Sequence, residues 1–312
     1  MRLIFCGTPQ FAVPTLEALI AAGFEISLAL TNPDEPSGRG YELKPSPVKE
    51  FALKVGFRVF QPARLKDPST QAEISSIQPD AIIVVAYGHI IPPWMIEIPR
   101  FGCINLHASL LPRYRGAAPV AWAIIRGERT TGVTTMQIDT GLDTGGILLQ
   151  RETEIRDEDT TETLFERLSA MGAGLMVETL RKIERGEIHP RPQDERLASY
   201  APMLKKEDGQ IDWFLTAEEI ARRVRGLRPW PVAYTVFRGR TLRLWAARPV
   251  DQPEATRLEP GALHIDQGRL VAGCGSGTRL ELIALQLEGR KRLSARDFLN
   301  GVSLKPGDRL GN

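Results

Sequence analysis

Apolar positions in the first 150 residues follow two alternating patterns. Short unbroken runs, RLIFCG (2–7), EISLALT (25–31) and AIIVVA (81–86), read as strands, and RVFQP (58–62) as a short extended piece. Between them, PTLEALIAAG sets Leu16, Leu19 and Ile20 at helical spacing and stops at Gly23. SPVKEFALKVG is a second helix stopping at Gly56, and STQAEISSIQ is also helical. Strand–helix alternation with continuous Val/Ile runs predicts a parallel sheet covered on both faces. Ligands of such sheets sit outside the carboxyl ends of the strands, so the loops after Ala86 and Leu106 are the candidate site.

The pattern then changes. Residues 160–186 predict one long amphipathic helix with Gly186 as its stop, and IHPRPQDERLASYAPML (188–204), with three prolines and little periodicity, reads as a linker. DWFLTAEEIARRVRGLRPWP (212–231) holds a capped helix, with Thr216 as N-cap and Glu219 three residues on. The stretches 232–250 and 268–298 alternate apolar and polar positions between glycine turns, which predicts a small β-barrel, an OB-type barrel being one candidate. The expected division is a domain over 1–189, a linker over 190–206 and a β-barrel domain over 207–312.

Composition adds little until charge is split along the chain. The 312 residues are 42% hydrophobic and 25% charged, ordinary values for a globular protein, with no apolar run long enough to span a membrane. Cys6, Cys103 and Cys274 are odd in number and far apart, so neither a disulfide framework nor a zinc knuckle is expected. A reducing cytoplasm and a monomer are the simplest expectations. Through Lys205 there are 22 basic against 25 acidic residues, and from Lys206 onward 18 against 13. A basic back part suits contact with a polyanion, or is the charged face of a soluble barrel.

Two segments carry candidate chemistry. FGCINLHASLLPRYRG (101–116) delivers Asn105 and His107 from a strand end into a Pro-Arg-x-Arg-Gly turn, and TTMQIDTGLDTGGILLQ (134–150) sets Asp143 on a glycine-rich turn. A neutral Asn donates to an oxygen that becomes negative, His moves a proton near neutral pH, and a carboxylate beside it fixes the tautomer and favours the charged form. That set suits attack on a carbonyl by a nucleophile brought by the substrate. Ser109 lacks a nucleophile elbow, CGTPQFAVP lacks the second and third glycines of a dinucleotide loop, and no Walker-type loop occurs. His89, His107, His189 and His264 are too scattered to predict a metal site.

NLHASLLPRYRGAAP followed by GVTTMQIDTGLDTGGIL resembles the core of the 10-formyltetrahydrofolate-dependent formyltransferases. FCGTPQFAVPTLEAL, PDEPSGRGYELKPSPVK, FQPARLK, AYGHIIP and LRPWPVAY extend the likeness toward the branch of that family acting on methionyl-tRNA. The resemblance implies a Rossmann-like catalytic domain followed by an OB-like β-barrel that helps hold tRNA. It also implies formyl transfer from 10-formyltetrahydrofolate to the α-amine of initiator methionyl-tRNA, with no metal. The rival expectation is a formyltransferase on the same scaffold with a small amine acceptor, a glycinamide ribonucleotide or an amino-sugar nucleotide.

Carried over by position, Asn105, His107 and Asp143 match the catalytic residues, and Ser109, Leu110, Leu111 and Pro112 the folate-binding segment. Tyr87, Gly88 and Ile91, with Asp139 and Gly141, match segments that enclose the pterin. Ala108 stands where glycine is common and Gln10 where aspartate is common. The loop 32–49 implies tRNA contacts through Arg39 and Lys44; by composition alone it equally reads as a surface insertion. Arg240, with Arg238, Arg243 and the GRKR run at 289–292, implies salt-dependent backbone contacts. Trp213 and Trp230 read as packing residues or as stacking platforms.

Overall fold

The run RLIFCG becomes β1 (Arg2–Gly7), buried on both faces from Leu3 onward. It lies inside a seven-stranded sheet in a computed structural model, which describes residues 1–37, 42–250 and 258–311. The other strands of this part are β2 (Glu25–Leu30), the pair β3 (Glu35–Ser37) and β4 (Glu42–Lys44), then β5 (Val59–Phe60), β6 (Ala81–Val85), β7 (Cys103–His107), β8 (Thr130–Gln137) and β9 (Ile147–Glu154). The sheet order is β5-β2-β1-β6-β7-β8-β9, with β3 and β4 forming a separate ribbon. The first five strands run parallel, as the Val/Ile runs predict. The last two do not: β8 is antiparallel to β7, and β9 to β8. The 138–146 connection between β8 and β9 is too short for a crossover, which needs a dozen or more residues, so β9 can only turn back along β8; β8 itself reverses after the longer 108–129 connection that carries α5.

Ile4, Cys6, Leu28, Leu30, Ile82 and Val84 pack one face of the sheet, and Leu3, Phe5, Ile83 and Val85 are buried on the other. Each fully buried Leu or Ile is worth about 1.5–3 kcal/mol, so the middle strands make a rigid platform. The helices are α1 (Val13–Ala21), α2 (Pro47–Lys54), α3 (Pro68–Ile77), α4 (Pro93–Glu97), α5 (Pro119–Ile125) and α6 (Thr161–Glu184). Gly172 lets α6 lie against β7: a Cβ there would fall 2.5 Å from Cδ2 of Leu106. That contact braces the strand between Asn105 and His107.

The predicted capped helix is α7 (Ala217–Gly226), and its capping box is formed. Thr216 Oγ1 accepts from the Glu219 N–H at 3.3 Å, and Glu219 Oε2 accepts from the Thr216 N–H at 2.8 Å. Beyond it come β10 (Ala233–Phe237), β11 (Arg240–Pro249), β12 (Leu263–Asp266), β13 (Arg269–Gly273), β14 (Arg279–Leu287), β15 (Leu293–Ser294) and α8 (Ala295–Gly301). The strands form an antiparallel sheet in the order β10-β11-β14-β13-β12, with β15 on β14. Ile220 and Val224 of α7 pack with Leu242, Leu244 and Leu282 in its core. Trp213 is a packing residue, buried in that core with Nε1 donating to Thr235 Oγ1 at 3.0 Å; Trp230 is exposed.

The chain divides into two compact units. One comprises Met1–Pro119, Thr130–Glu154 and Phe165–Ala201; the other takes Pro202 onward together with Val120–Arg129 and Ile155–Leu164. The second unit thus recruits α5, against which α7 packs without a side chain between them. A Cβ on Gly226 would lie 2.6 Å from Ile125 Cγ1, and Thr161 Oγ1 donates to the Gly226 carbonyl at 2.7 Å.

In the second unit Arg238 clasps Asp308 with two N–H donors, at 2.9 and 2.5 Å, and the Lys305 N–H adds a third. The guanidinium, then the backbone donor, pull the Asp308 carboxyl down to about 2. A depressed folded-state value stabilises above the ordinary carboxylate range and loses that stabilisation as pH falls toward about 2. Arg238→Ala is therefore expected to melt lower than the parent at neutral pH. Melting curves recorded at falling pH should show the gap closing between about pH 4 and pH 2.

Candidate active site

The catalytic trio expected from sequence meets at the carboxyl end of β7. His107, last residue of that strand, is buried, with Nε2 2.9 Å from the Tyr114 carbonyl oxygen and Nδ1 3.6 Å from Asp143 Oδ2. The Tyr114 carbonyl, rather than Asp143, therefore anchors the ring through Nε2. The 3.6 Å separation at Nδ1 exceeds hydrogen-bond length, so this edge of the ring is not tied to the carboxylate. A carbonyl only accepts, so Nε2 is the ring nitrogen that donates to Tyr114.

Asp143 is held by its surroundings. Its backbone is left-handed, with φ 53°, a region that Asp tolerates better than most residues. Oδ2 accepts the Gly116 N–H at 2.8 Å, which aims the carboxylate at His107. Gly116 itself has φ 114° and lies so close to the Ala201 carbonyl that a Cβ would fall 2.8 Å from its oxygen. Asn105 is half-buried, and its side chain has no hydrogen-bond partner among the described residues. An uncommitted amide two residues before an anchored imidazole can donate to an oxygen brought by a substrate.

The folate-binding positions expected from the resemblance have distinct placements. Ser109 is buried, with Oγ donating to the Arg113 carbonyl at 2.6 Å and its own carbonyl accepting from Thr134 Oγ1 at 2.6 Å. Leu111 is buried with Met136 and Ile147, while Leu110 and Pro112 are half-buried. Asp139 folds the next turn: Oδ1 accepts from the Gly141 N–H at 2.9 Å and from Thr144 Oγ1 at 2.7 Å. A Cβ on Gly141 would meet Thr144 Oγ1, so glycine is needed for that closure. Gly88 has φ 87° and is exposed; Ile91 and the Tyr87 ring are instead buried in the core with Ile4 and Ile82. Tyr87 thus shapes its loop through backbone and packing, and its ring is not presented at the surface. Ile90 and Leu142, neighbours of those positions, are exposed apolar side chains.

No side chain here is poised as a covalent nucleophile. The Ser109 hydroxyl is committed to a carbonyl, and burial pushes the Cys103 and Cys274 thiols up to about 12 and Cys6 well above its ordinary value. Among the described residues no group of three His, Cys, Asp or Glu is placed to hold a metal ion. The arrangement suits direct attack on a carbonyl carbon by an external amine, with donors for the carbonyl oxygen and a carboxylate–imidazole pair for protons.

Sequence reasoning missed the residues that hold this set in place. Tyr114 and Gly116 act through backbone groups, and Arg115, between them, is almost completely buried. Arg115 donates to Gln193 Oε1 from Nε (3.1 Å) and Nη2 (2.8 Å), and to Glu195 from Nη1 (2.9 Å) and Nη2 (2.7 Å). That guanidinium holds the Glu195 carboxyl below its usual range. The one available signal was the Arg-x-Arg-Gly turn itself, in which an arginine close to catalytic residues needs acidic or amide partners.

Of the positions expected to meet tRNA, Arg39 lies outside the described residues; Lys44, on β4, is exposed. Arg240 is exposed with Nη2 donating to the Glu288 carbonyl at 2.5 Å, and Arg243, Arg290 and Lys291 are also exposed. Arg292 lies over the Trp245 ring at 5.0 Å, and Arg238 is committed to Asp308.

Residues 1–180 match the family described as formyl transferase, and residues 203–303 match the formyl transferase C-terminal domain. A methionyl-tRNA formyltransferase of Koribacter versatilis is 54% identical over 312 residues, covering all of this chain and 99% of that protein. One of Acidobacterium capsulatum is 52% identical with full coverage of both. Among solved structures, an N-formyltransferase of Helicobacter canadensis, in complex with folinic acid and dTDP-3-aminofucose, superposes with a TM-score of 0.68. It shares 18% identity and covers 90% of this chain and 98% of that one. HypX of Aquifex aeolicus, in complex with tetrahydrofolic acid, gives a TM-score of 0.65 at 19% identity, covering 96% of this chain and 47% of that chain. At such identities the structural likeness speaks for the fold.

Proposed function

This chain belongs to the methionyl-tRNA formyltransferase family, and on that premise we propose that it moves the formyl group of 10-formyltetrahydrofolate to the free α-amine of initiator methionyl-tRNA. The observation that carries the chemistry is the meeting of an uncommitted Asn105 amide with the anchored His107–Asp143 pair at one strand end. The acceptor rests on full-length identity to relatives that bear that name.

The donor supplies a formyl carbon activated by its attachment to nitrogen. Support for this comes from exposed Ile90 and Leu142, which offer apolar cover, and from Asn105, an amide uncommitted among the described residues. Asn105 and the His107 Nδ1–H stabilise the formyl oxygen as it gains negative charge. Asp143 faces the imidazole and takes the proton that the attacking amine sheds. The new bond joins the methionyl nitrogen to the formyl carbon. The bond to the folate nitrogen breaks, and that nitrogen leaves with the proton that the amine shed, so Asp143 is returned to its starting state. The Tyr114 carbonyl holds the ring still throughout, so little reorganisation accompanies charge development. Exposed Lys44, Arg240, Arg243 and the 290–292 run supply backbone contacts to the tRNA.

The test is transfer from 10-formyltetrahydrofolate to charged initiator methionyl-tRNA, beside charged elongator methionyl-tRNA, small amines and a no-acceptor control. Strong preference for the initiator is expected, with tRNA affinity falling steeply between 50 and 200 mM salt, by about 10³-fold if some six phosphates are contacted. Transfer confined to a small amine would keep the chemistry and overturn the acceptor; release of formate without acceptor would overturn both.

A further inference from the structure

The proline-broken stretch after α6 falls between the two family matches, which end at residue 180 and resume at 203. It is not a slack tether. Arg191 and Ile147 exchange both backbone hydrogen bonds at 2.8 Å. Ser199 Oγ accepts the Tyr114 N–H at 2.9 Å, the Ala201 N–H donates to the Arg115 carbonyl at 2.7 Å, and the Ala118 N–H donates to the Ala201 carbonyl at 3.2 Å. Residues 191–201 thus lie bonded along the loop that anchors His107 and Asp143.

Gln193 sits at the centre of this strap. Its Nε2 donates to the carbonyls of Asp143 and Gly145, both at 2.8 Å, and its Oε1 accepts from Nε and Nη2 of buried Arg115. Every polar atom of the amide is engaged, two donors on one side and two lone pairs on the other. We propose that Gln193 is a positioning residue for formyl transfer: its amide pins the Asp143–Gly145 turn to Arg115, so that the Asp143 carboxylate stays directed at His107. This rests on the reading that Asp143 acts on His107.

The physical reason lies in the turn. A left-handed aspartate persists only where its surroundings over-determine it. The Gly116 N–H fixes the carboxylate end of Asp143, and Gln193 fixes its backbone end. Without the Gln193 donors the turn loses its only two side-chain ties to the strap among the described residues. A reacting group misplaced by about 1 Å can cost on the order of 10²-fold in rate. Among the described residues the Arg115 guanidinium has no bond to Asp143 of its own and reaches it through Gln193.

Gln193→Glu separates this role from simple support of a buried arginine. Glutamate keeps an oxygen for Arg115, and pairs its charge, but has no donor for the two carbonyls. The expected result is a protein that still folds, with a melting temperature lowered by the two lost hydrogen bonds, KM values for donor and methionyl-tRNA within about twofold, and kcat lower by roughly tenfold or more. Gln193→Leu, which also lacks the donors, should lose kcat at least as far; should one variant fail to fold, the other carries the test. Arg196→Ala, on the same strap but paired among the described residues only with Asp194, should turn over like the parent. Parent-like kcat in Gln193→Glu, a loss confined to KM, or an equal loss in Arg196→Ala would overturn the positioning role. A parent without transfer to methionyl-tRNA would instead overturn the functional reading on which it rests.

Discussion

Asn105→Ala and His107→Ala should each lower kcat by roughly 10²–10³-fold, the usual loss when one donor to a developing oxyanion is removed. The two should differ in stability. The Asn105 side chain has no hydrogen-bond partner among the described residues, so its truncation leaves melting behaviour close to the parent's. His107→Ala strips the Tyr114 carbonyl of its donor in a buried place, which costs about 1–3 kcal/mol. Equal losses of activity with unequal losses of stability would identify a shared role in the transition state. Because both donors serve one oxygen, the double variant should fall well short of the product of the single losses. Rapid-quench single turnovers, which isolate the chemical step, beside thermal melts of each variant, check this directly. Near-normal turnover in either single variant removes that residue from the mechanism.

What the sequence made legible follows from where information is repeated along the chain. The runs of β1, β2 and β6 carry period and composition over five or more residues, and they become strands at nearly the expected bounds. The Thr216–Glu219 box is a local signal with a local cause, and it forms. The reversal of β8 against β7 was not legible, since a threonine-rich run reads alike in either direction and the 108–129 connection is long enough for either; only the return of β9 is decided, by the short 138–146 connection. Asn105, His107 and Asp143 could be singled out because side-chain chemistry is written in residue type. Their supports could not. The Tyr114 carbonyl and Gly116 N–H are backbone groups that every residue owns, and their direction depends on left-handed angles at Tyr114 and Gly116. Gln193 carries no periodic signal in a stretch whose prolines erase one, and its partners lie 48 to 78 residues away. The Tyr87 ring shows the converse: an aromatic in a ligand-like loop is drawn into the core beside Ile4 and Ile82 because the apolar space below it must be filled.

Asp143→Asn is expected to cost up to roughly 10⁴-fold in kcat, the loss seen when a carboxylate beside a catalytic imidazole becomes an amide. The geometry makes this a clean exchange of charge. One atom, Oδ2, both accepts the Gly116 N–H and faces His107 Nδ1. The Gly116 N–H therefore selects the asparagine rotamer with oxygen in that place, because the flipped amide would set donor against donor. Asparagine also tolerates the left-handed backbone at this position, so the turn and the melting temperature should hold. Asp143→Ala, by contrast, orphans the Gly116 N–H and places a residue ill suited to φ 53°, so it should lose stability as well as rate. With shape kept and charge removed, the amide can neither favour the imidazolium nor take a proton from the attacking amine. If Asp143→Asn turns over within a few-fold of the parent, neither service is needed, and the burden of catalysis falls on the donors Asn105 and His107. If it falls as expected while KM for both substrates holds, the carboxylate acts on the transition state and not on binding.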